Sequence, residues 1–220
     1  MTTTSDTRSP IAIDPRSAFA ATIPVAAEVI DAVRAEHLAL PTPCDGMTVE
    51  DLLSHLMMVA DRVASAGRGD ELATWSTEGP KLGLIEWAPA WRAVAATAVD
   101  EWSDDTRLER STPLPWTTLP GRGVVAIYTN ELVVHTWDLA TAIGASASWP
   151  DEVLDVASAA IHSQLPDADR TPMWAAMAAH MPEGIAWESP FSNAVEISDD
   201  STPVARVMAW NGRNPAWTAG

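Results

Sequence analysis

Apolar side chains recur every three or four residues in four long stretches of this 220-residue chain. This spacing places them on one face of an α-helix. The stretches cover residues 16–40, 48–67, 84–102 and 124–143. Pro24 lies inside the first stretch, so that helix is predicted to begin near it or to be kinked there. Four long helices in one chain predict a mainly α fold, a four-helix bundle.

The segments between and after these helices have their own signals. Thr48 can cap the second helix, because its hydroxyl can bind the N–H groups of the first turn while Asp51 reciprocates. The proline-rich residues 103–122 predict a long crossover, irregular or formed as a short β-hairpin, before the fourth helix. Beyond it, the pattern predicts helices at 151–164, 174–180 and 204–210 and a strand at 194–197.

These elements divide the chain into three parts. Residues 1–14 are polar and predicted to be flexible, and residues 15–146 form the helical bundle. Residues 147–220 form a small α(+β) extension that packs on the bundle. The length suits one domain with such an appendage.

Charge and cysteine content narrow the classes of partner. The formal net charge is −17, and the 13 basic residues do not cluster. Nucleic acids and anionic membranes are therefore excluded as partners, since both require a basic surface. Cys44 is the only cysteine, so an intrachain disulfide and a thiolate metal cage are also excluded. No secretory signal or bilayer-spanning run is evident, which is typical of a soluble cytoplasmic protein.

The fourth predicted helix carries the most informative polar residues. It is apolar on nearly all sides, which predicts that it is buried within the bundle. Yet Glu131, His135 and Asp138 fall at i, i+4 and i+7, on one narrow face. Ionisable groups on a buried helix are costly without a strong partner, and a metal cation is such a partner. An ordinary ion pair between Glu131 and His135 would also account for their spacing.

A further ligand can come from the second helix, where His55 lies at the edge of the apolar stripe. His55, Glu131 and His135 together offer two imidazoles and a carboxylate, which suits a catalytic zinc site with an open position. Non-haem iron or nickel suits the same set. His55 could instead be a hydrogen-bonded histidine at the core boundary. Asp138 could orient a ligand imidazole or bond a neighbouring helix. A direct bond to His135 is not expected, because both side chains leave the same helix.

Three segments resemble a known family. Residues 42–56 (TPCDGMTVEDLLSHL) resemble the TPCxGWTVxDLLxHL segment of actinobacterial DinB-like proteins. Residues 131–144 (ELVVHTWDLATAIG) resemble their ExxxHxWDLAxAxG segment, and residues 212–215 (GRNP) look like their closing GRDP. The resemblance covers residues 15–215 and points to the mycothiol-dependent maleylpyruvate isomerase group. Met47 departs from the pattern, since the family usually has Trp there.

The resemblance implies a four-helix bundle with a divalent metal, usually zinc, at its centre. The family's first ligand histidine matches His55, and its Glu-x-x-x-His pair matches Glu131 and His135. Members with known activity are similar to thiol S-transferases and isomerases that use mycothiol, bacillithiol or glutathione. Despite the DinB name, the resemblance does not imply DNA binding.

Three hypotheses about function follow. The first is a metal-dependent thiol transferase or isomerase, a monomer or homodimer, with mycothiol as cosubstrate and an electrophilic second substrate. In it Asp138 and Tyr128 support the ligands, while Arg122 and Arg213 are candidates for holding a substrate carboxylate. The second is a metal-dependent hydrolase or tailoring enzyme that uses no thiol. The third is a non-enzymatic protein whose structural or sensing metal has a fourth protein ligand, such as His180 or Asp138.

Overall fold

The structure, a computed structural model, describes residues 14–179 and 191–218. Within these ranges it contains eight α-helices and one two-stranded sheet, so the mainly α prediction is confirmed. In chain order the elements are α1 (Pro15–Ala32), α2 (Val49–Arg68), α3 (Trp87–Glu101), α4 (Thr106–Glu109), β1 (Ser111–Leu114), β2 (Thr117–Pro120), α5 (Gly121–Ala142), α6 (Asp151–Gln164), α7 (Thr171–Ala178) and α8 (Pro203–Trp210).

Four long helices form the bundle around a hydrophobic core. Helix α5 packs against α1 and α2, and each of those packs in turn against α3. Helix α6 packs on α5 and α1 and contacts α8, so the C-terminal helices lie against the bundle. Helix α5 therefore has neighbours on nearly every side, which explains why its sequence is apolar all round. Its buried position was predicted and is confirmed.

The start of α2 follows the predicted cap. The Thr48 hydroxyl accepts the Asp51 N–H at 3.2 Å, and the Asp51 carboxylate accepts the Thr48 N–H at 3.0 Å. At the other end Gly69 adopts φ 83°, a left-handed conformation that glycine adopts without steric cost. These two ends set the register of α2 and place His55 on its second turn.

The predicted extent of α1 is wrong at its C-terminal end. The helix ends at Ala32 rather than near residue 40, because Val33 leaves the helical region with ψ 140°. A 3-10 turn at Ala35–His37 follows, from which Leu38 still packs on the core. The apolar residues of this turn continue the helical spacing beyond the end of α1, so the sequence predicted a longer helix than the structure contains. Pro24 lies inside α1 rather than at its start.

The crossover between α3 and α5 contains a short helix and a hairpin. Strands β1 and β2 pair antiparallel, with Ser111 opposite Pro120. This confirms the hairpin alternative for that segment.

The predicted strand at 194–197 is wrong, since the described residues after 190 form no strand. Val195 donates one backbone bond, at 2.9 Å, to the carbonyl of Ala209 in α8, where no extended segment is available for pairing. Residues 1–13, including most of the predicted flexible N-terminus, and His180 lie outside the described ranges. No helix in those ranges combines the length and apolarity needed to cross a bilayer.

Candidate metal centre

Helices α2 and α5 bring His55, Glu131 and His135 together inside the bundle. The nitrogen and oxygen atoms that these side chains can offer to a metal lie within 4.8 Å of one another. Nε2 of His135 is 3.3 Å from a carboxylate oxygen of Glu131. The rings of His55 and His135 meet edge to face, with centroids 4.5 Å apart and planes at 74°. The three residues predicted from sequence therefore form one cluster.

The burial of this cluster leaves one imidazole nitrogen without a partner. Nε2 of His55 is buried and has no hydrogen bond to any described residue. A buried polar atom without a partner is costly. Five other such atoms occur among the described residues, but none of them is an imidazole nitrogen or another usual metal ligand; they belong to Trp87, Thr136, Trp149, Arg170 and Trp210. The side chain of Glu131 keeps 17% of its surface exposed, so the cluster can be reached from solvent.

The donor set and its spacing fit a divalent metal. Zinc bound tetrahedrally to nitrogen and oxygen at about 2.0–2.1 Å separates neighbouring ligand atoms by about 3.3 Å. The His135–Glu131 pair is already at 3.3 Å. The other donor atoms lie within 4.8 Å of one another, so their separations would have to shorten by at most about 1.5 Å to complete the set. A cation there would also give Nε2 of His55 its missing partner.

The other nitrogen of His135 faces a second group of polar atoms. Nδ1 lies 3.2 Å from Oδ2 of Asp138, so the expectation that these residues do not bond directly is wrong. Residues three apart on a helix are neighbours, which brings the carboxylate beside the ring. The same oxygen accepts a bond from Nη2 of Arg213 at 3.2 Å, and Nη2 also donates to Sγ of Cys44 at 3.3 Å.

Burial and neighbouring charges shift the pKa values of the cluster in different directions. Burial, reinforced by His135, lowers the pKa of His55 to about 3, so this ring is neutral near pH 7. For Glu131, burial raises the pKa, but bonding and attraction to His135 outweigh it and the net pKa is lowered. For His135, burial lowers the pKa, yet its bonds with Asp138, Cys44 and Glu131 raise it well above the usual value. The cluster thus favours a positive charge between Glu131 and Nε2, which a metal ion would supply in place of the proton.

A second possible ligand group shares His135 with the first. Donor atoms of Cys44, His135 and Asp138 also lie within 4.8 Å of one another. The Arg213 guanidinium, however, already contacts both the Cys44 sulfur and the Asp138 carboxylate. A metal cation beside this fixed positive charge would be repelled. The group on the Nε2 side is therefore the better candidate for a metal.

The remaining predicted site residues lie at different distances from the cluster. Tyr128 is buried in the core, and burial raises the pKa of its phenol above the usual range. Among the hydrogen bonds between described residues, none joins its hydroxyl to Glu131. Arg122, in the first turn of α5, forms an ion pair with Glu109 of α4. It lies about 13 Å along the helix axis from Glu131. Sequence reasoning missed the Cys44–Arg213 contact, which no local spacing signals.

The fold and the cluster together define the class of this protein. It is a helical bundle with a candidate metal site, formed by two histidines and a glutamate, between two of its helices. The comparison with known families makes the class specific. The chain belongs to the family described as the mycothiol maleylpyruvate isomerase N-terminal domain, which it matches over residues 20–140. The match covers more than half of the chain and includes all three candidate ligands.

Two relatives come from Mycobacterium tuberculosis, one from strain CDC 1551 and one from strain H37Rv, and both are described as uncharacterized. Each is 29% identical over 126 residues, which is 55% of this chain and 63% of the relative. The match thus spans somewhat less than two thirds of these relatives' length. No solved structure matches the chain.

Proposed function

We propose that this protein is a metal-dependent enzyme whose divalent metal, bound by His55, Glu131 and His135, activates a thiol. The observation that carries the proposal is the grouping of His55, whose Nε2 is buried without a partner, with Glu131 and His135. Two imidazoles and a carboxylate form a known type of catalytic zinc site, and zinc is the metal that we propose. A metal held there would favour the thiolate form of a bound thiol.

An open coordination position supports catalysis over a purely structural metal. Structural zinc sites have four protein ligands, whereas catalytic sites have three and leave the fourth position to water or substrate. Among the described residues, the group contains three donors. Of the two alternative fourth ligands, Asp138 instead faces the opposite nitrogen of His135, and His180 lies outside the described residues. This arrangement favours the enzyme hypothesis over the non-enzymatic one.

The family supplies the class of reaction. Its description names a mycothiol-dependent isomerase of maleylpyruvate, and a thiolate is the nucleophilic form of a thiol. In this proposal the thiol gives up its proton to solvent, and the thiolate sulfur adds to the electrophilic carbon of a conjugated double bond, whose π electron pair moves onto the conjugated carbonyl. The C–S bond breaks again as the double bond re-forms, which releases the isomerised product and regenerates the thiolate. The Glu131 side chain is more exposed than that of His135, so in this proposal the thiol approaches from the Glu131 side. His135 is held from its Nδ1 side and keeps Nε2 turned towards the metal.

The first test concerns the metal itself. Wild type, His55→Ala and His162→Ala are purified without a histidine tag, and their metal content is measured after exposure to zinc. His162 is an exposed histidine of α6 and serves as the matched control. We expect about one metal per chain in wild type and His162→Ala, and a loss of most of it in His55→Ala. Equal metal in all three proteins would show that the ligand assignment is wrong.

The second test concerns the thiol. Zinc-loaded wild type and His55→Ala are incubated with mycothiol and maleylpyruvate, and then with a panel of other electrophiles. Product formation and free thiol are both followed. Turnover that requires mycothiol and His55 supports the proposal. Turnover that requires His55 and metal but no thiol would favour the hydrolase or tailoring-enzyme alternative. Absence of any turnover across the panel would contradict both.

A further inference from the structure

Arg213 is a buried arginine whose three guanidinium nitrogens all have partners within the protein. Nη1 donates to the Asn211 carbonyl at 3.0 Å, and Nη2 donates to Asp138 at 3.2 Å. Nε lies 3.5 Å from the other oxygen of Asp138, a weaker contact. Only 7% of the residue is exposed. The carboxylate that Arg213 holds in this structure is therefore one of the protein's own.

The chain after α8 is hydrogen-bonded to α5 at two positions. One precedes and the other follows the candidate ligands Glu131 and His135 in the sequence. Before Arg213, the buried amides of Asn211 and Asn130 exchange two hydrogen bonds, of 3.0 and 2.9 Å. Between these two contacts Gly212 adopts φ 79°, which lets the chain turn so that Arg213 reaches Asp138. Asn130 and Asp138 are about 12 Å apart along the helix axis. The C-terminal segment thus contributes a side chain to the centre from far away in sequence.

We propose that Arg213 is a positioning residue of the metal centre, acting through Asp138 on His135. This inference rests on the proposed metal site. Held by Arg213, the Asp138 carboxylate accepts a hydrogen bond from Nδ1 of His135, because an ionised carboxylate can only accept. The proton is thereby kept on Nδ1, and the lone pair of Nε2 is turned towards the metal.

Without Arg213 the orientation of Asp138 would be lost. Asp138 has no exposed surface, and its hydrogen-bonding partners are His135 and Arg213. A carboxylate that loses one of two partners is free to turn away from the ring. Partners of this kind, which bond a ligand rather than the metal, typically change metal affinity by about 10- to 100-fold.

Arg170 provides a matched control in the same part of the chain. It too is fully buried, and it donates to the carbonyls of Pro166 and Ser192 and lies over the Trp210 ring. It has no carboxylate partner among the described residues and none of its contacts reaches the cluster. Replacing either arginine by glutamine removes a buried charge, but only Arg213→Gln is expected to affect the metal.

The test is a double-mutant cycle on zinc affinity, measured by competition with a chromogenic chelator. Arg213→Gln and Asp138→Asn are each expected to weaken zinc binding by about 10- to 100-fold. The double variant is expected to bind no more weakly than the weaker single variant, because both changes act through one contact. Arg213→Lys, which keeps a charge and a donor, is expected to recover part of the affinity. Arg170→Gln is expected to stay within about twofold of wild type.

Three outcomes would contradict this inference, and they can be told apart. Losses that multiply in the double variant would show that Arg213 does not act through Asp138. Wild-type affinity in Arg213→Gln, together with metal loss in His55→Ala, would refute the positioning role and leave the metal centre intact. Equal affinity in wild type and His55→Ala would refute the centre itself. Circular dichroism of each variant checks that it is folded.

Discussion

The two nitrogens of the His135 ring face two very different environments. On the Nε2 side lie His55 and Glu131, with a buried nitrogen that has no partner and a carboxylate that reaches solvent. On the Nδ1 side, the buried Asp138 carboxylate bonds both the ring and the buried Arg213 guanidinium. We call these the open side and the closed side. The closed side is complete within the protein, whereas the open side is completed only by something from outside it.

This difference places groups expected to stabilise the fold on one side of the His135 ring and groups expected to bind a ligand on the other. Buried polar groups that are fully hydrogen-bonded are compatible with a stable fold, while an unpartnered one is costly. The closed side satisfies that rule, and the open side violates it at His55. Violations of this kind are expected where a protein binds a ligand. The comparison predicts that substitutions on the closed side lower the stability of the protein. Replacing His55 on the open side is instead expected to raise the stability of the metal-free protein.

The largest effect is expected on the closed side, from Asp138→Ala. The substitution leaves the Arg213 guanidinium buried without its carboxylate, which typically costs about 3–5 kcal/mol. The free energy of unfolding, measured with urea in the presence of a chelator, should fall by that amount. Asp70→Ala is the control, since Asp70 pairs with Arg68 at the partly exposed end of α2 and should cost less than about 1 kcal/mol. Similar losses in the two variants would mean that the closed side is not a buried ion pair.

An opposite effect of smaller size is expected on the open side, from His55→Leu. Leucine fills much of the histidine volume and removes the unpartnered Nε2. In chelator the variant should be more stable than wild type by about 1 kcal/mol. Zinc at roughly 100 times its dissociation constant should stabilise wild type by about 2.7 kcal/mol and leave the variant unchanged.

The urea unfolding curves of His55→Leu and wild type, each with and without zinc, test this reversal. A variant that is less stable than wild type in chelator would show that His55 is an ordinary packed residue. Stabilisation of the variant by zinc would place the metal elsewhere.

The sequence predicted the open side better than the closed side. Glu131 and His135 are one helical turn apart, so their proximity follows from helix geometry, and the apolar pattern predicted the buried helix. His55 was grouped with them from its position at the edge of the apolar stripe of the second helix, and the family resemblance supported that grouping. The Asp138–His135 bond was available from the same geometry and was wrongly rejected. The contact of Arg213 with Asp138 spans 75 positions, and no local pattern signals a contact of that range.

In the fold, too, features set by neighbouring residues were predicted, whereas features that depend on distant parts of the chain were not. The cap of α2 was predicted because Thr48 and Asp51 are three residues apart and interact directly. The end of α1 was not, because apolar side chains of the following turn also pack on the core and continue the helical spacing. The strand predicted at 194–197 failed because a strand needs a partner, and partners are chosen by tertiary packing.

The smallest effect is expected from Cys44→Ala, and it distinguishes the two possible ligand groups. The substitution removes the bond from Arg213 to the sulfur and leaves the Arg213–Asp138 pair in place. Because sulfur is a weak acceptor, the substitution should lower the free energy of unfolding by only about 0.5 kcal/mol and leave the zinc content at the wild-type level. Metal analysis and urea unfolding of Cys44→Ala beside His55→Ala provide the measurement. If Cys44→Ala lost its zinc while His55→Ala kept it, the metal would lie on the closed side, with Cys44, His135 and Asp138 as its ligands. Because the Arg213 guanidinium already supplies the positive charge there, we expect the reverse.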